Sequence, residues 1–389
     1  MRLLFLAPAP PCPDMGGGAL RMYNMLRFLG QRFRVDLVAP ALEGEGAARR
    51  LLHSYCADLE FVPPAPRRAW RRAARLGPYE KDPAMALAIG RRLAAGHYGA
   101  VHVEKPAMLP YLPARLGRPI VLDTFAYGLT GAVRALRNEP GPLTRARNLL
   151  RLLRFAAFDA FCWPATHCVV VVSEVDRQRC LRSHPGRRVL VVPNGVDCTT
   201  IRPGPTHESG RAVLLFTGDM SFDPNVQAAC ALVAQVLPRV RRVRPEVELR
   251  LVGRNPHPRV LALEAPGVVV TGEVPEMLPY LQAATVYAAP LQTGAGTRTK
   301  LLEAMAAGLP VVTTRVGLEG IEAADGREVV IADDPEAAAA AILRLLGDPA
   351  ARRRVGGAAR QLAEEKYDWN RCLAPIEELY TELLPLRAS

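Results

Sequence analysis

The sequence predicts an α/β protein made of two doubly wound, Rossmann-like domains with parallel sheets. Its 389 residues are enough for two domains of ordinary size. Short runs of Val, Ile and Leu alternate with helical segments along the chain, as expected for strands buried on both faces of a parallel sheet. The pattern of strand, loop and helix also starts twice, at the first residue and again at Ala212. We therefore expect two similar halves.

The first half opens with the apolar strand MRLLFLAP, a glycine loop containing Gly16, Gly17 and Gly18, and the helix ALRMYNMLRFL. The opening resembles a secretory signal, but its apolar run is short and breaks at Pro8, so we expect a buried strand instead. The later strands of this half are expected at RVDLVAP, AVHVE, PIVLD, CVVVVS and VLVVP.

The second half follows Ile201–Gly210, a segment rich in turn-forming residues that we interpret as a linker. It opens with the strand AVLLFTG, the loop SFDPN and the helix VQAACALVAQVLPRVRRV. Its later strands are expected at VELRLVG, VVVTGEV, VYAAPL, PVVTT and EVVIA. The predicted organisation is a first domain over 1–200, a linker over 201–210, a second domain over 211–368 and a final helix over 369–389.

Positive charge is concentrated in the first half of the chain. Residues 1–200 contain 29 Lys and Arg against 15 Asp and Glu, a net charge of +14, whereas the remainder carries −2. Such a surface attracts anionic partners such as a lipid phosphate, the cytoplasmic leaflet of a membrane or nucleic acid. An arginine-rich composition alone would produce the same imbalance.

Two basic segments, Arg67–Leu76 and Arg145–Pro164, have the pattern of amphipathic helices that lie on anionic membranes. For Arg145–Pro164, packing of the apolar side on a sheet is the alternative. No stretch offers the roughly 20 apolar residues that span a bilayer. The eight cysteines show no C-x-x-C pair and no zinc-type spacing, which favours a reduced, cytoplasmic protein without a metal site. We therefore expect at most peripheral contact with the inner face of the plasma membrane.

The stretch GAGTRTKLLEAMAAGLPVV, Gly294–Val312, places two cations and a carboxylate at a predicted helix start. If Thr297 caps the helix, the next amides stay free to bind phosphate, and Arg298 and Lys300 add charge suited to a diphosphate. Glu303, one turn further on, offers two acceptors for a vicinal diol such as that of ribose. The alternative is a capped surface helix with a Lys300–Glu303 ion pair.

Further motifs occur in the order known from one enzyme family. They are MGGG, VVSE, VVPNGVD, LLFTGDM, LRLVG, VTGEVPEML, YAAPL and GTRTKLLEAMAAGLPVVTT. Along nearly its whole length the sequence resembles the retaining glycosyltransferases of family 4 (glycosyl transferases group 1), which have the GT-B fold. The loop G-x-G-T-R-x-K resembles a subgroup near bacterial exopolysaccharide loci. The resemblance implies that the two sheets face an interdomain cleft and that the last helix crosses back to the first domain.

The resemblance also implies roles for individual residues. Glu303 matches the second glutamate of the family motif and would bind the donor ribose, while Arg298 and Lys300 would neutralise the leaving diphosphate as catalytic residues. The backbone at Gly17 and Gly18 would approach the diphosphate. The remaining donor-binding candidates are Gly218, Gly294, Gly296, Thr297 and Leu302.

Two departures from the family pattern concern the donor. Ala295 stands where the first motif glutamate contacts the donor sugar, so a backbone group or Gln292 would substitute, or donor recognition differs. The usual Lys-Gly after the first strand of the second domain is also absent. In its place stand Phe222, Asp223, Pro224 and Asn225.

The expected reaction moves a sugar from a nucleotide-diphosphate sugar to an acceptor hydroxyl, either on a saccharide or on a lipid-linked molecule, in polysaccharide or glycolipid synthesis. Positioned cations would stabilise the leaving group, so we expect no metal or other cofactor. No nucleic-acid partner is expected. In the acceptor domain, Asp123 at a strand end is the further catalytic candidate, and we expect His102, in mid-strand, to belong to the core.

Two other functions stay open on the sequence. A nucleotide-sugar 2-epimerase of the same fold would need several acid–base groups in the cleft, but none of the seven histidines lies in the motif loops. A catalytically degenerate nucleotide-binding protein is suggested by Ala295. A nicotinamide dehydrogenase is disfavoured, because the first loop does not contain G-x-G-x-x-G.

Overall fold

The structure is a computed structural model. It describes residues 2–13, 16–41, 45–66, 81–113, 115–124, 165–204, 212–293 and 297–384, together with helical residues 146, 148–150, 152–154 and 156. The chain forms two compact units. The first comprises Met1–Pro193 and Leu373–Ser389, and the second comprises Asn194–Cys372.

The first unit contains a seven-stranded parallel sheet of order β3-β2-β1-β4-β5-β6-β7. Its strands are β1 Arg2–Leu6, β2 Arg34–Pro40, β3 Asp58–Val62, β4 Ala100–Glu104, β5 Ile120–Asp123, β6 Cys168–Val171 and β7 Val189–Val191. The six strands predicted for this half are confirmed. The edge strand β3 was not predicted, because only its last two residues, Phe61 and Val62, are buried.

Helices connect these strands and cover the sheet. They are α1 Gly17–Gly30, α2 Glu45–His53, α3 Pro83–Ala95, a 3-10 helix at Pro106–Tyr111, and α4 Glu174–Ser183. The apolar side of α1 is fully buried at Met25, Leu26 and Leu29, and the helix packs on β2. Every residue of β4, β5 and β6 is buried. The continuous apolar runs in the sequence are therefore the interior strands of this layered unit.

The second unit contains a six-stranded parallel sheet of order β10-β9-β8-β11-β12-β13. Its strands are β8 Val213–Thr217, β9 Glu248–Val252, β10 Val268–Gly272, β11 Val286–Ala289, β12 Val311–Thr313 and β13 Val330–Ile331. All six were predicted. The α-helices of this unit are α5 Asp223–Ala231, α6 Leu237–Arg241, α7 Pro258–Leu261, α8 Leu278–Ala283, α9 Thr299–Ala306, α10 Pro335–Gly347 and α11 Pro349–Leu362. The last helix, α12 Trp369–Leu383, starts in this unit and continues into the first, which contains Leu373–Ser389.

Each sheet has one point at which the strand order reverses. In the first unit this point lies between β1 and β4, and in the second between β8 and β11. Ligands of doubly wound sheets bind beyond the carboxyl ends of the strands at such points. Within the described residues, none of the helices combines the length and the apolar character required to cross a bilayer.

Candidate functional site

The helix α9 begins close to the switch point of the second sheet, after β11. The three residues before Thr297, namely Gly294, Ala295 and Gly296, lie outside the described residues. The helix begins at Thr299 with Arg298 in the N-cap position, and no side chain caps it. The prediction that Thr297 caps this helix is therefore wrong. The Thr297 hydroxyl is instead buried, with no hydrogen-bond partner among the residues that the structure describes.

Lys300 lies in a narrow slot formed by the first strand of the unit and the loop after it. Its ammonium donates a 2.5 Å hydrogen bond to Oδ1 of Asn225 and lies 4.7 Å from the centre of the Phe216 ring. The third wall is Gly218, where a Cβ would come within 2.5 Å of the Lys300 nitrogen. The alternative predicted from the sequence, a Lys300–Glu303 ion pair, is thus replaced by a contact with Asn225.

The slot depends on two glycines with positive φ. Gly218 has a φ of 149° and Gly253 a φ of 154°, a region that side chains rarely adopt. A Cβ on Gly253 would lie 1.7 Å from the carbonyl oxygen of Gly218. The loops after β8 and β9 can therefore approach this closely only because both positions are glycine.

Burial changes the acid–base properties of both charged groups on α9. Loss of solvent lowers the pKa of Lys300 to about 7, with a smaller lowering from Arg298, whereas Glu303 and Asp219 oppose it. Burial raises the pKa of Glu303 to about 7, and Lys300 counteracts this. Among the described residues, no hydrogen-bond donor engages the Glu303 carboxylate. Near neutral pH the site therefore holds an amine and a carboxyl that both titrate there.

The other candidates of this loop and helix have different environments. The Arg298 guanidinium contacts the carbonyl oxygen of Thr293 at 3.5 Å. The Leu302 side chain is fully buried in the core, and its donor-binding role stays a prediction. The Gln292 amide donates to the Asp333 carbonyl at 3.0 Å. The suggestion that Gln292 replaces the missing glutamate stays a prediction.

In the first unit, the glycine loop leads into a helix start at the switch point. Gly16 occupies the N-cap position with a φ of 98°, no side chain caps the helix, and Gly17 and Gly18 form its first turn. An uncapped helix start that follows a glycine loop is a favourable place for an anion. The donor-binding role of Gly17 and Gly18 stays a prediction.

Asp123 lies at the end of β5 and is fully buried. Both of its oxygens accept hydrogen bonds from Arg21, at 2.9 to 3.2 Å, and Arg21 also donates to the Pro193 carbonyl. Burial raises the pKa of Asp123 to about 6, and the guanidinium counteracts this, so the carboxyl is ionised at neutral pH. The structure thus gives this catalytic candidate the place of a buried ion-pair partner.

Three more buried groups adjoin this pair. His102 Nδ1 lies 2.7 Å from the Tyr380 hydroxyl, and His102 Nε2 lies 3.2 Å from Glu104 Oε1. Burial lowers the pKa of His102 to about 4 and raises that of Glu104 to about 8, so the pair is uncharged at neutral pH. The expectation that His102 belongs to the core is confirmed. His102, Glu104 and Asp123 offer ligand atoms within 4.8 Å of one another, but Arg21 already neutralises Asp123.

Sequence reasoning missed Arg21, Glu104 and the pairing of Asn225. For Arg21 a signal existed, since it lies four and seven residues before Met25 and Phe28 and so shares their buried helix face. Asn225 was noticed only as part of a loop that departs from the family. Its contact with Lys300 joins residues 75 positions apart, and no local pattern indicates such a contact.

The two basic segments are described only in part. Residues 67–80, which contain Arg67–Leu76, lie outside the described residues, as does much of Arg145–Pro164. Of the residues that are described there, Leu149, Leu150 and Leu153 are 47%, 54% and 58% exposed, whereas Asn148 is buried. These leucines therefore do not form the packed face of the helix.

Comparison with known proteins identifies the family. The model of glycosyltransferase family 4 matches residues 15–200, and the model of glycosyl transferases group 1 matches residues 211–348. The chain belongs to the group 1, family 4 glycosyltransferases. Both halves match in the order that the sequence motifs indicated. The first model covers β2 to β7 of the first sheet, and the second covers all six strands of the second sheet.

Two mycobacterial relatives and one solved structure illustrate the relationship of this glycosyltransferase. A GDP-mannose-dependent α-(1-6)-phosphatidylinositol monomannoside mannosyltransferase of Mycolicibacterium smegmatis is 31% identical over 54% of the chain, which spans only 61% of that relative's length. A phosphatidyl-myo-inositol mannosyltransferase of Mycobacterium leprae is 26% identical over 95% of both chains. HepE of Anabaena, in complex with UDP and glucose, superposes with a TM-score of 0.71 at 17% identity, covering 98% of this chain and 100% of HepE. The GT-B fold class is thereby confirmed.

Proposed function

We propose that this glycosyltransferase moves a sugar from a nucleotide-diphosphate sugar to an acceptor hydroxyl with retention of anomeric configuration. The observation that carries the proposal is the start of α9, where a partly buried amine and an unengaged carboxylate stand one turn apart at the switch point of the second sheet. A diphosphate suits the amine, and a ribose diol suits the carboxylate. The UDP complex of HepE and the GDP-mannose dependence in the name of the M. smegmatis relative support a donor of this class.

In the proposed reaction, the acceptor oxygen forms a bond to the anomeric carbon while the bond between that carbon and the diphosphate oxygen breaks. Negative charge grows on the leaving oxygen, and the proton of the acceptor hydroxyl passes to the departing diphosphate. Lys300, Arg298 and the uncapped start of α9 are placed to stabilise this charge. A fixed cation costs no reorganisation at the moment of reaction, so we propose that no metal ion is needed. Electrostatic stabilisation of the leaving group then supplies most of the rate enhancement.

The donor half of the proposal predicts discrimination between ribose and deoxyribose. UDP and GDP should bind at least about tenfold more tightly than dUDP and dGDP, because a hydrogen bond to a charged acceptor contributes about 1.5–3 kcal/mol. Calorimetric titration measures this ratio. Glu303→Gln should reduce the discrimination, whereas Glu336→Gln, at an exposed position on α10, should leave it unchanged. Equal binding of the ribo and deoxy forms to the unmodified protein would contradict the role of Glu303.

For the acceptor, we propose a lipid-linked molecule in glycolipid or polysaccharide synthesis, held by the first unit at an anionic membrane surface. The +14 charge of residues 1–200, the exposed leucines near residue 150 and the phosphatidylinositol-based names of two relatives support this choice.

The acceptor proposal predicts salt-sensitive binding to anionic membranes. The protein should sediment with phosphatidylglycerol vesicles at low salt and dissociate as the salt concentration rises, because surface charges are screened within about 8 Å at physiological ionic strength. A triple Leu149→Ser, Leu150→Ser, Leu153→Ser variant should bind more weakly, whereas Leu87→Ser, at a 65% exposed leucine on α3, should not. Absence of vesicle binding at low salt would rule out the membrane-bound acceptor.

A further inference from the structure

We propose that Asn225 is a positioning residue of the transfer reaction, which holds the Lys300 amine in its slot and thereby sets the affinity for the donor diphosphate. The inference rests on the proposed function of α9. It concerns a residue of the loop that departs from the family pattern.

The contacts of Asn225 carry the argument. The residue is 5% exposed, and its amide is used at both ends. Oδ1 accepts the 2.5 Å hydrogen bond from Lys300, while Nδ2 donates to the carbonyl oxygen of Asp219 at 2.8 Å. The bond to Asp219 fixes the amide orientation, so that the oxygen and not the NH2 group is presented to the amine.

The backbone around Asn225 is fixed as well. Asn225 lies in the first turn of α5, and its own N–H donates to the carbonyl oxygen of Phe222 at 2.8 Å. Asp219 in turn accepts from Arg254 at 3.0 Å and from the Ser221 hydroxyl at 2.6 Å. The acceptor that meets Lys300 therefore belongs to a loop held by several hydrogen bonds. A lysine side chain otherwise has four rotatable bonds, so a fixed acceptor greatly restricts where its charge can be.

A neutral amide is also better suited than a carboxylate to position the Lys300 amine for a diphosphate. A carboxylate at the same place would form an ion pair with Lys300 and compete with an incoming diphosphate. The Asn225 amide oxygen takes up one of the three N–H donors of the Lys300 ammonium. The positive charge and the other two N–H groups stay available to the ligand. The Phe216 ring faces the same nitrogen and favours a cation there without neutralising it.

Donor binding should then be coupled to uptake of a proton by Lys300. Its pKa of about 7 is lowered by burial and by Arg298, and raised towards the normal value by Glu303 and Asp219. An incoming diphosphate adds negative charge and raises it further. Below this pKa the free protein already carries the charged amine, so its affinity for the diphosphate is highest at low pH. The affinity falls as the pH rises above about 7, because the amine must then take up a proton on binding.

A double-mutant cycle tests the inference. Dissociation constants for UDP and GDP are measured by calorimetry for the unmodified protein, Asn225→Ala, Lys300→Met and the double variant. Asn225→Ala should weaken binding about tenfold in the presence of Lys300, and it should have little effect in the Lys300→Met background. Equal weakening in both backgrounds would show that Asn225 acts only by holding its loop, and would overturn the proposal.

Asn225→Asp provides a second variant of nearly the same shape, which lacks the Nδ2 donor to the Asp219 carbonyl oxygen. Its carboxylate keeps the contact with Lys300 and raises the pKa of the amine, so the alkaline loss of affinity should move to higher pH and less proton should be taken up on binding. Proton uptake is measured by repeating the titration in buffers of different ionisation enthalpy. An unchanged pH profile would contradict the proposal. If neither nucleotide binds the unmodified protein, the proposed function itself fails, which distinguishes the two cases.

Discussion

Lys300→Met is expected to lower the turnover of sugar transfer by about 10²–10³-fold, because loss of one preorganised donor to a developing negative charge costs about 2.7–4 kcal/mol in the transition state. Methionine has an unbranched apolar side chain that replaces most of the lysine stem, so the change removes mainly the amine. The measurement is kcat with a saturating nucleotide sugar. If the Lys300 cation acts mainly as the leaving group departs, its removal should lower kcat more than it raises KM.

Two controls separate this effect from loss of the fold. Lys366→Met removes a partly exposed lysine of the same unit, which pairs with Glu322. It should leave kcat within a factor of about two, since surface ion pairs contribute little to stability and this one is not part of the proposed site. The melting temperature of Lys300→Met should not fall, because burial disfavours the charged amine in the free protein. Near-normal turnover in Lys300→Met would exclude Lys300 from leaving-group stabilisation.

The strands were the part of the fold that the sequence predicted best, and the reason is physical. Strands buried on both faces of a parallel sheet are mainly apolar, so β5 and β6 stand out as PIVLD and CVVVVS. In β4, AVHVE, the two polar residues His102 and Glu104 are buried next to each other. Strand β3 lies at an edge and buries only Phe61 and Val62, so its pattern is weak. A strand that is buried on both faces is thus easily predicted from sequence, whereas a partly exposed edge strand is not.

Within the site, the sequence predicted which residues share the start of α9 but not what each one contacts. Spacing along a helix places Lys300 and Glu303 one turn apart, and this is a local property. The preference of Lys300 for Asn225 over Glu303 arises from the approach of two loops at Gly218 and Gly253, which depends on the folded sheet. The cap at Thr297 failed for a similar reason, because the helix begins two residues later.

Arg21→Met is expected to destabilise the first unit by about 3–5 kcal/mol, because it leaves the Asp123 carboxylate buried without its counter-charge. Both side chains of this ion pair are almost inaccessible to water, at 1% and 0% exposure. The free energy of unfolding in urea measures the effect. The matched control is Arg188→Met, whose ion pair with Glu382 is 46% and 63% exposed, and it should cost less than about 1 kcal/mol.

The titration of Asp123 also determines how the stability lost in Arg21→Met depends on pH. In the unmodified protein the pKa of Asp123 is already raised to about 6 by burial, and removal of Arg21 should raise it further. The folded variant then binds a proton that the unfolded chain releases, so its stability relative to the unmodified protein should improve as the pH falls below neutrality. A second change, Asp123→Leu, in the Arg21→Met background should recover much of the loss, because well-packed apolar residues can replace a buried ion pair at little cost. If Arg21→Met is as stable as the unmodified protein at neutral pH, the ion pair between Arg21 and Asp123 is not what holds β5 and α1 together.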